Sequence, residues 1–311
     1  MKSAILFPPL MKLKKASFQD LYEEFPEVRN KFEESSEILE MNLASQFFSD
    51  DEELTNNGLI ARSSIVTISA ALFNIIKDYI PAPDFYLGPS LGQVIAIHCS
   101  GSLSFKETIK MVRAMCEKER SEEKNSEYGV YFFYNIDTAI LLERMAELKG
   151  QGCTLEPCMF GTANQMIVNG DLASLEKLSE KAMQHGGLGV TIPYGPPGHC
   201  SLLQSVKEAF ERDFMPKINP KAPEKPLISN VTATALTAGW QVEQELVEQY
   251  TNPVQWYKSL QFLAKQGIEE LIVMGPGNFV SKALDFTDIP FRVERLLTAD
   301  EINKKIQVAV N

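Results

Sequence analysis

A serine framed by two glycines, in the stretch GPSLG at residues 88–92, is the first feature of the sequence that could do chemistry. The pattern G-x-S-x-G is typical of a nucleophile elbow, in which a sharp strand-to-helix turn lifts a serine hydroxyl clear of the backbone. The stretches DFYL before it and VIAIHC after it predict that strand and that helix. Ser90 is therefore a candidate nucleophile, although a serine that only serves the turn would show the same local pattern.

A serine hydroxyl is a weak nucleophile near neutral pH, so a base must take its proton, and the sequence offers three histidines. His98 lies on the apolar helix after the elbow, and His185 ends a helix beside two glycines, positions that favour structural roles. His199 lies in the loop stretch Gly198-His199-Cys200. The local sequence alone does not assign the base.

The elements that must position these residues fall into two patterns. The first is an α/β pattern, with a buried strand at 3–7, a helix over 20–39 and a mostly apolar helix over 60–76. From residue 128 the order changes to strand, helix, two strands, helix and strand, which is the ferredoxin-like arrangement. We predict a large α/β-hydrolase-like lobe with a parallel sheet, made of residues 1–125 and 193–311, and an inserted ferredoxin-like subdomain over 126–192.

Composition limits the partners. The net charge of −11 and the absence of a long basic run argue against nucleic acid. We expect no membrane span, since no window approaches about 18 apolar residues, and no cleavable leader, since Pro8 and Pro9 interrupt the first apolar stretch. Five cysteines, an odd number without zinc-ligand spacing, suit reduced thiols in the cytoplasm.

Over almost its whole length the sequence resembles the malonyl-CoA:acyl-carrier-protein transacylase family, including the acyltransferases that serve polyketide synthases. The resemblance rests on DLYEEFPEVRNKFEE, GPSLG followed by SGSLSF, the inserted segment, GHC, LISNVT, NPVQW and VMGPG, in this order and spacing. It implies transfer of an acyl group from coenzyme A, through a serine ester, to the phosphopantetheine thiol of an acyl carrier protein, in fatty acid or polyketide biosynthesis. Coenzyme A and phosphopantetheine are then substrates, and no metal or bound cofactor is implied.

The resemblance also assigns roles. It implies that Ser90 is the nucleophile, that His199 is the base and acid, and that Gln255 in NPVQW orients the histidine through a hydrogen bond. Two main-chain N–H groups would stabilise the tetrahedral oxyanion, that of Leu91 in the elbow and that of Leu10 in the first loop. Gln255 could instead only satisfy neighbouring backbone groups.

Several positions depart from the family pattern. Pro9 and Leu10 replace a glycine and a glutamine of the first loop. Met115 falls at the position of the arginine that pairs with the malonyl carboxylate, and a buried carboxylate without a cation is costly. Arg62 replaces a glutamine that lines the family's active site; its guanidinium could bind a polar acyl substituent or extend to the surface. Gly198, before the histidine, indicates a roomier pocket.

We therefore expect an acyltransferase that acts on carrier proteins with an acyl group other than plain malonyl. A hydrolase that strips acyl groups from stalled carriers would use the same Ser90 and His199, with water as the second acceptor. A third hypothesis is a catalytically silent protein that docks a carrier, suggested by the altered first loop.

Overall fold

The computed structural model describes residues 1–120, 127–193 and 197–310. Within these residues, ten strands form two sheets. The strands are β1 (Ser3–Leu6), β2 (Phe85–Leu87), β3 (Tyr128–Tyr134), β4 (Leu155–Thr162), β5 (Gln165–Asp171), β6 (Leu188–Thr191), β7 (Leu227–Ile228), β8 (Ala235–Leu236), β9 (Glu270–Met274) and β10 (Arg292–Leu296). The first sheet has the order β10-β9-β1-β2-β7-β8 and is parallel except for the antiparallel pair β7 and β8. The second sheet is antiparallel, with the order β4-β5-β3-β6.

Fourteen α-helices are seen in the described residues. They are α1 (Gln19–Glu24), α2 (Pro26–Leu39), α3 (Leu43–Phe47), α4 (Glu52–Thr55), α5 (Gly58–Ile76), α6 (Leu91–Cys99), α7 (Phe105–Glu119), α8 (Thr138–Gly150), α9 (Leu172–Met183), α10 (Gln204–Asp213), α11 (Gly239–Glu248), α12 (Trp256–Lys265), α13 (Phe279–Leu284) and α14 (Ala299–Val310). The strands β3, β4, β5 and β6 and the helices α8 and α9 follow one another in the ferredoxin-like order. The predicted α/β fold with a ferredoxin-like insertion is confirmed.

One predicted helix is wrong in its extent. The pattern over 20–39 was expected to form a single helix, but the chain forms α1 and α2 with a break at Phe25. Pro26 is the cause, because proline disfavours helical backbone at the residue before it, and Phe25 is extended at φ −102° and ψ 114°. Pro26 itself begins α2, where its missing N–H leaves no helical hydrogen bond unmade.

The side chains of β1 alternate between the two faces of the parallel sheet. Ile5 packs into the cluster built around α5, whereas Ala4 and Leu6 pack into the cluster that includes α12. A third cluster fills the ferredoxin-like part, between its sheet and the helices α8 and α9. Both faces of this mostly parallel sheet are thus covered, as is usual where parallel strands are joined by helices.

Helix α5 corrects the expectation about membrane spans. By length and composition it could cross a bilayer, but 72% of its apolar window is buried inside the protein. It packs against α2, α3 and α7. Its apolarity therefore fits a core helix surrounded by other helices.

The ferredoxin-like sheet joins the large lobe along β4. Val254 donates a backbone hydrogen bond to the Cys158 carbonyl at 2.8 Å, and Phe160 donates one to the Val254 carbonyl at 2.9 Å. The division at residues 125/126 and 192/193 stays a proposal, and its first boundary lies outside the described residues. Because the two parts share main-chain hydrogen bonds, residues of both can hold one site.

Candidate active site

Ser90 occupies the sharp turn between β2 and α6. Its backbone has φ 56° and ψ −112°, a conformation that non-glycine residues rarely adopt. The flanking glycines make the turn possible: a Cβ on Gly88 would lie 2.6 Å from the Gly92 carbonyl carbon, and a Cβ on Gly92 would lie 2.6 Å from the Phe7 carbonyl oxygen. The sequence pattern thus folds into the strained strand-to-helix turn that is typical of a nucleophile elbow.

The amide of Asn230 holds this turn in place. Its Oδ1 accepts a hydrogen bond from the Ser90 N–H at 2.7 Å, and its Nδ2 donates to the Gly88 carbonyl and to Gln93 Oε1, both at 2.9 Å. The Asn230 N–H donates to Glu245 Oε1 at 2.6 Å. Burial raises the pKa of Glu245, and this effect outweighs the hydrogen bonds that it accepts, which lower the pKa. The elbow therefore depends on a buried polar network that the G-x-S-x-G pattern does not contain.

His199 reaches the elbow from a loop distant in sequence. Its Nε2 lies 2.9 Å from Ser90 Oγ, and its Nδ1 lies 2.7 Å from the main-chain carbonyl of Gln249. A carbonyl can only accept, so Nδ1 carries the proton and Nε2 is left with a free lone pair facing the serine hydroxyl. This is the arrangement that a general base requires.

The structure corrects the role expected for Gln255. Its side-chain Oε1 is buried and has no hydrogen-bond partner among the described residues, and its N–H donates to the Asn230 carbonyl at 2.7 Å. The partner of His199 is instead Gln249, the residue that follows α11. Carbonyls at the end of a helix lack an intrahelical partner, so that of Gln249 is free to accept from the imidazole.

Both parts of the fold hold the histidine loop. Asn169 on β5 donates to the Gly198 carbonyl at 2.8 Å, and the Cys200 N–H donates to the Tyr250 carbonyl at 3.1 Å. His199 itself has a positive φ of 57°. The two hydrogen bonds fix the residues on either side of the histidine and stabilise this unusual backbone conformation.

The environment of His199 keeps its imidazole neutral at physiological pH. Burial lowers its pKa below the ordinary 6.5; the hydrogen bond to Gln249 and the charge of Glu119 act in the opposite direction, and Arg62 lowers it further. A neutral imidazole is the form that can accept the serine proton.

We expect the rate of acylation to fall in acid. Because the histidine pKa is lowered, protonation should remove the base only below pH 6.5, with the rate dropping about tenfold per pH unit below the inflection and staying level above it. Single-turnover acylation, measured from pH 4.5 to 8.5, would give this profile. Circular dichroism at each pH controls for unfolding, and an inflection above 6.5 would contradict the expectation.

A cavity of about 210 Å³ opens beside Ser90 and His199. The other predicted site residues in its wall are Leu10, Arg62, Leu91, Met115 and Gly198. A Cβ on Gly198 would meet no atom within 4 Å, so this wall is open. Within the described ranges, no cluster of three or more His, Cys, Asp or Glu side chains could hold a metal ion.

Arg62 lies in this wall and does not extend to the surface. Its Nη2 lies 2.7 Å from Glu119 Oε2, and its Nη1 lies 3.9 Å from Cys116 Sγ. Burial lowers the pKa of Arg62, but the Glu119 carboxylate and the neighbouring groups outweigh it, so the net shift is upward. The guanidinium stays charged and is already paired.

Comparison with known proteins relates this site to a reaction class. The chain is 27% identical over 281 residues to the malonyl CoA-acyl carrier protein transacylase of Bacillus subtilis strain 168, covering 90% of this chain and 88% of the relative. It is 25% identical over 308 residues to that of Escherichia coli K12, covering 98% and 97%. The resemblance to the malonyl-CoA:acyl-carrier-protein transacylase family is confirmed. With it, the expectation of an enzyme of the acyltransferase class is confirmed too, although no family model matches the chain.

Solved transacylase structures have the same fold. A malonyl-transacylase of a type II polyketide synthase, in complex with its acyl carrier protein, has a TM-score of 0.92 at 21% identity, covering 99% of this chain and all of that one. The transacylase of Coxiella burnetii has a TM-score of 0.91 at 22% identity, covering 100% and 98%. The similarity in fold therefore extends over both sheets.

Sequence reasoning missed the main residues that support this transacylase-like site. Asn230 lies in the stretch LISNVT, which counted toward the resemblance but received no role, and Glu245 lies on α11. Both are buried polar residues, and only the fold places them under the elbow. Gln249 acts through its backbone, so its side-chain type carried no signal.

Asn230→Ala is expected to lower the free energy of unfolding by about 2–4 kcal/mol, because it leaves the Ser90 N–H and the Gly88 carbonyl without their buried partner. Urea unfolding measures this effect. The matched control is Asn303→Ala, which removes an exposed amide bonded to Glu24 and should change the stability by less than about 0.5 kcal/mol. Equal effects of the two substitutions would contradict the role of Asn230.

Proposed function

We propose that this chain is an acyltransferase that moves an acyl group without a free carboxylate from acyl-CoA, or from an acyl carrier, to the phosphopantetheine thiol of an acyl carrier protein. The observation that carries the proposal is the hydrogen-bonded series Ser90–His199–Gln249 at 2.9 and 2.7 Å. Ser90 and His199 line a cavity in which the Arg62 guanidinium is already paired with the Glu119 carboxylate. Its biological setting would be polyketide or fatty acid biosynthesis.

In the first half-reaction, His199 Nε2 takes the proton of Ser90 as Oγ attacks the thioester carbonyl carbon. The tetrahedral oxyanion forms beside the N–H groups of Leu10 and Leu91, which make no hydrogen bond within the described part of the chain. When the intermediate collapses, the carbon–sulfur bond breaks and the imidazolium returns the proton to the coenzyme A thiolate. The acyl group is then an ester on Ser90.

The second half-reaction reverses these steps with a new thiol. His199 deprotonates the phosphopantetheine thiol, whose sulfur attacks the Ser90 ester, and the proton returns to Oγ as the serine leaves. The Gln249 carbonyl stabilises the imidazolium in both halves, in the position where a serine hydrolase uses a carboxylate. No net charge or redox change is required of the protein.

The walls of the cavity favour an uncharged acyl chain. Met115 presents a thioether where the family pattern has an arginine, and Val94, Val112 and Leu203 add apolar surface. A malonyl carboxylate placed there would lose its hydration without gaining a free cation. A monocarboxylic acyl chain would only bury apolar surface.

A solved relative supports the choice of partner, and the cysteines support the compartment. The similar malonyl-transacylase was solved with its acyl carrier protein, and a carrier is the partner that we propose here. The five cysteines are all free thiols, which fits the reducing cytoplasm.

The proposal is tested by intact-protein mass spectrometry after incubation with malonyl-, methylmalonyl-, acetyl-, hexanoyl- and octanoyl-CoA. We expect adducts of one acyl group with the monocarboxylic donors, formed faster than with malonyl-CoA. Adding a holo carrier protein should then move the acyl mass to the carrier.

Other outcomes separate the alternatives. Loss of the ester to water at the same rate with and without carrier would indicate the hydrolase. Carrier binding with no adduct and no turnover from any donor would indicate the docking protein. Faster loading of malonyl than of octanoyl groups would contradict the proposed substrate.

A further inference from the structure

The ion pair between Arg62 and Glu119 is the most unusual feature of the cavity wall. The side chains are only 17% and 15% exposed, and both residues line the cavity that contains Ser90. Both also act on the pKa of His199, which Glu119 raises and Arg62 lowers. The pair therefore shares one cavity with Ser90 and His199.

Glu119 is placed on the acyl side of the cavity by its helix. It is the last residue of α7 and follows Met115 by four positions, so the two side chains lie on the same face, one turn apart. Arg62 reaches this face from α5, and its two terminal nitrogens contact Glu119 and Cys116. The Glu119 carboxylate is thus already paired with the Arg62 guanidinium, which a carboxylated acyl group would need.

An acyl group with its own carboxylate would have to compete with Glu119. Displacing Glu119 from Arg62 would leave a partly buried carboxylate without its cation, and sharing the guanidinium would bring two like charges together. A neutral acyl group meets neither obstacle, because the pair has no net charge and keeps its internal contact.

We propose that Glu119 is a specificity-determining residue that excludes acyl groups carrying an ionised carboxylate by saturating Arg62. The proposal rests on the acyl transfer proposed above and names the feature of the site that selects its substrate. It also implies that a malonyl-binding cation is present in this chain but is blocked.

The first test uses the unaltered protein and two donors of nearly the same shape. Malonyl-CoA and its terminal amide, malonamyl-CoA, differ mainly in the charge of the distal group. We expect the amide to acylate Ser90 about tenfold faster or more, since only the anion is repelled. Equal rates of acylation by the two donors would overturn the proposal.

The second test removes the charge of Glu119. In Glu119→Gln the ratio of malonyl to octanoyl acylation rates should rise about tenfold or more, and adding Arg62→Met should abolish that rise. The matched control is Glu117→Gln, an exposed carboxylate on the same helix, which should leave the ratio within about twofold. In Glu119→Gln the inflection in the pH profile should also move to lower pH, because a charge that raises the His199 pKa is gone while Arg62 remains.

The outcomes distinguish this inference from the proposed function. A folded Glu119→Gln chain that accepts octanoyl groups but shows no rise in the malonyl ratio would overturn the role of Glu119 and leave the acyltransferase intact. Absence of any Ser90 ester in the unaltered chain would instead contradict the proposed function. If Glu119→Gln does not fold, equal acylation rates for the two donors would still overturn the proposal.

Discussion

Ser90→Ala is expected to eliminate the acyl-enzyme adduct completely and to lower turnover by about 10⁴-fold or more. The substitution removes Ser90 Oγ, the only atom that we propose to form the ester. His199 cannot compensate, because its Nε2 then faces a methyl group, which has no acidic proton. Intact-protein mass spectrometry measures the adduct, and thiol release from the preferred acyl-CoA measures turnover.

The matched control for this prediction is Ser45→Ala, an exposed serine on α3, which should keep the full adduct and the full rate. Alanine can occupy the same strained backbone with little change in packing, so the Ser90→Ala chain should keep its thermal midpoint within a few degrees. An adduct of unchanged mass and rate in Ser90→Ala would place the nucleophile elsewhere.

His199→Ala is expected to slow acylation by about 10³- to 10⁴-fold while leaving the nucleophile in place. Without the imidazole, the serine proton has no acceptor at 2.9 Å and the leaving thiolate has no proton donor. Rapid-quench measurement of the ester on Ser90 should therefore show a slow adduct, whereas Ser90→Ala shows none.

The control is His185→Ala. His185 is exposed near the end of α9 and should be replaceable with less than a twofold change in rate. A His199→Ala chain that acylates at the unaltered rate would show that the short contact with Ser90 is not used. The two predictions together separate the group that carries the acyl ester from the group that moves its proton.

Local patterns were sufficient to predict much of the fold. The apolar residues of β1 and β2 predicted strands, and the order of elements from residue 128 predicted the ferredoxin-like part, because periodicity and turn residues act over a few positions. The prediction of a single helix over 20–39 was wrong because Pro26 disfavours helical backbone at Phe25 and so interrupts an otherwise helical pattern.

The site was predictable only where a residue type in a short pattern carries the chemistry. Ser90 has that form, and the resemblance singled out His199. Gln255 was chosen for its side-chain amide, but the structure uses the backbone carbonyl of Gln249, and any residue supplies such a carbonyl. Asn230 lies 140 positions from Ser90, and no local pattern relates the two.

The sequence by itself determined the elbow, the order of the elements, the family resemblance and the replacement of the expected arginine by Met115, since each depends on residue types at short or countable spacings. Only the tertiary structure decided which groups meet His199, how the elbow is held and that Arg62 is neutralised by Glu119. These contacts join groups 50 to 140 positions apart, some of them backbone groups, and their free energies depend on burial and distance, which exist only once the chain has folded.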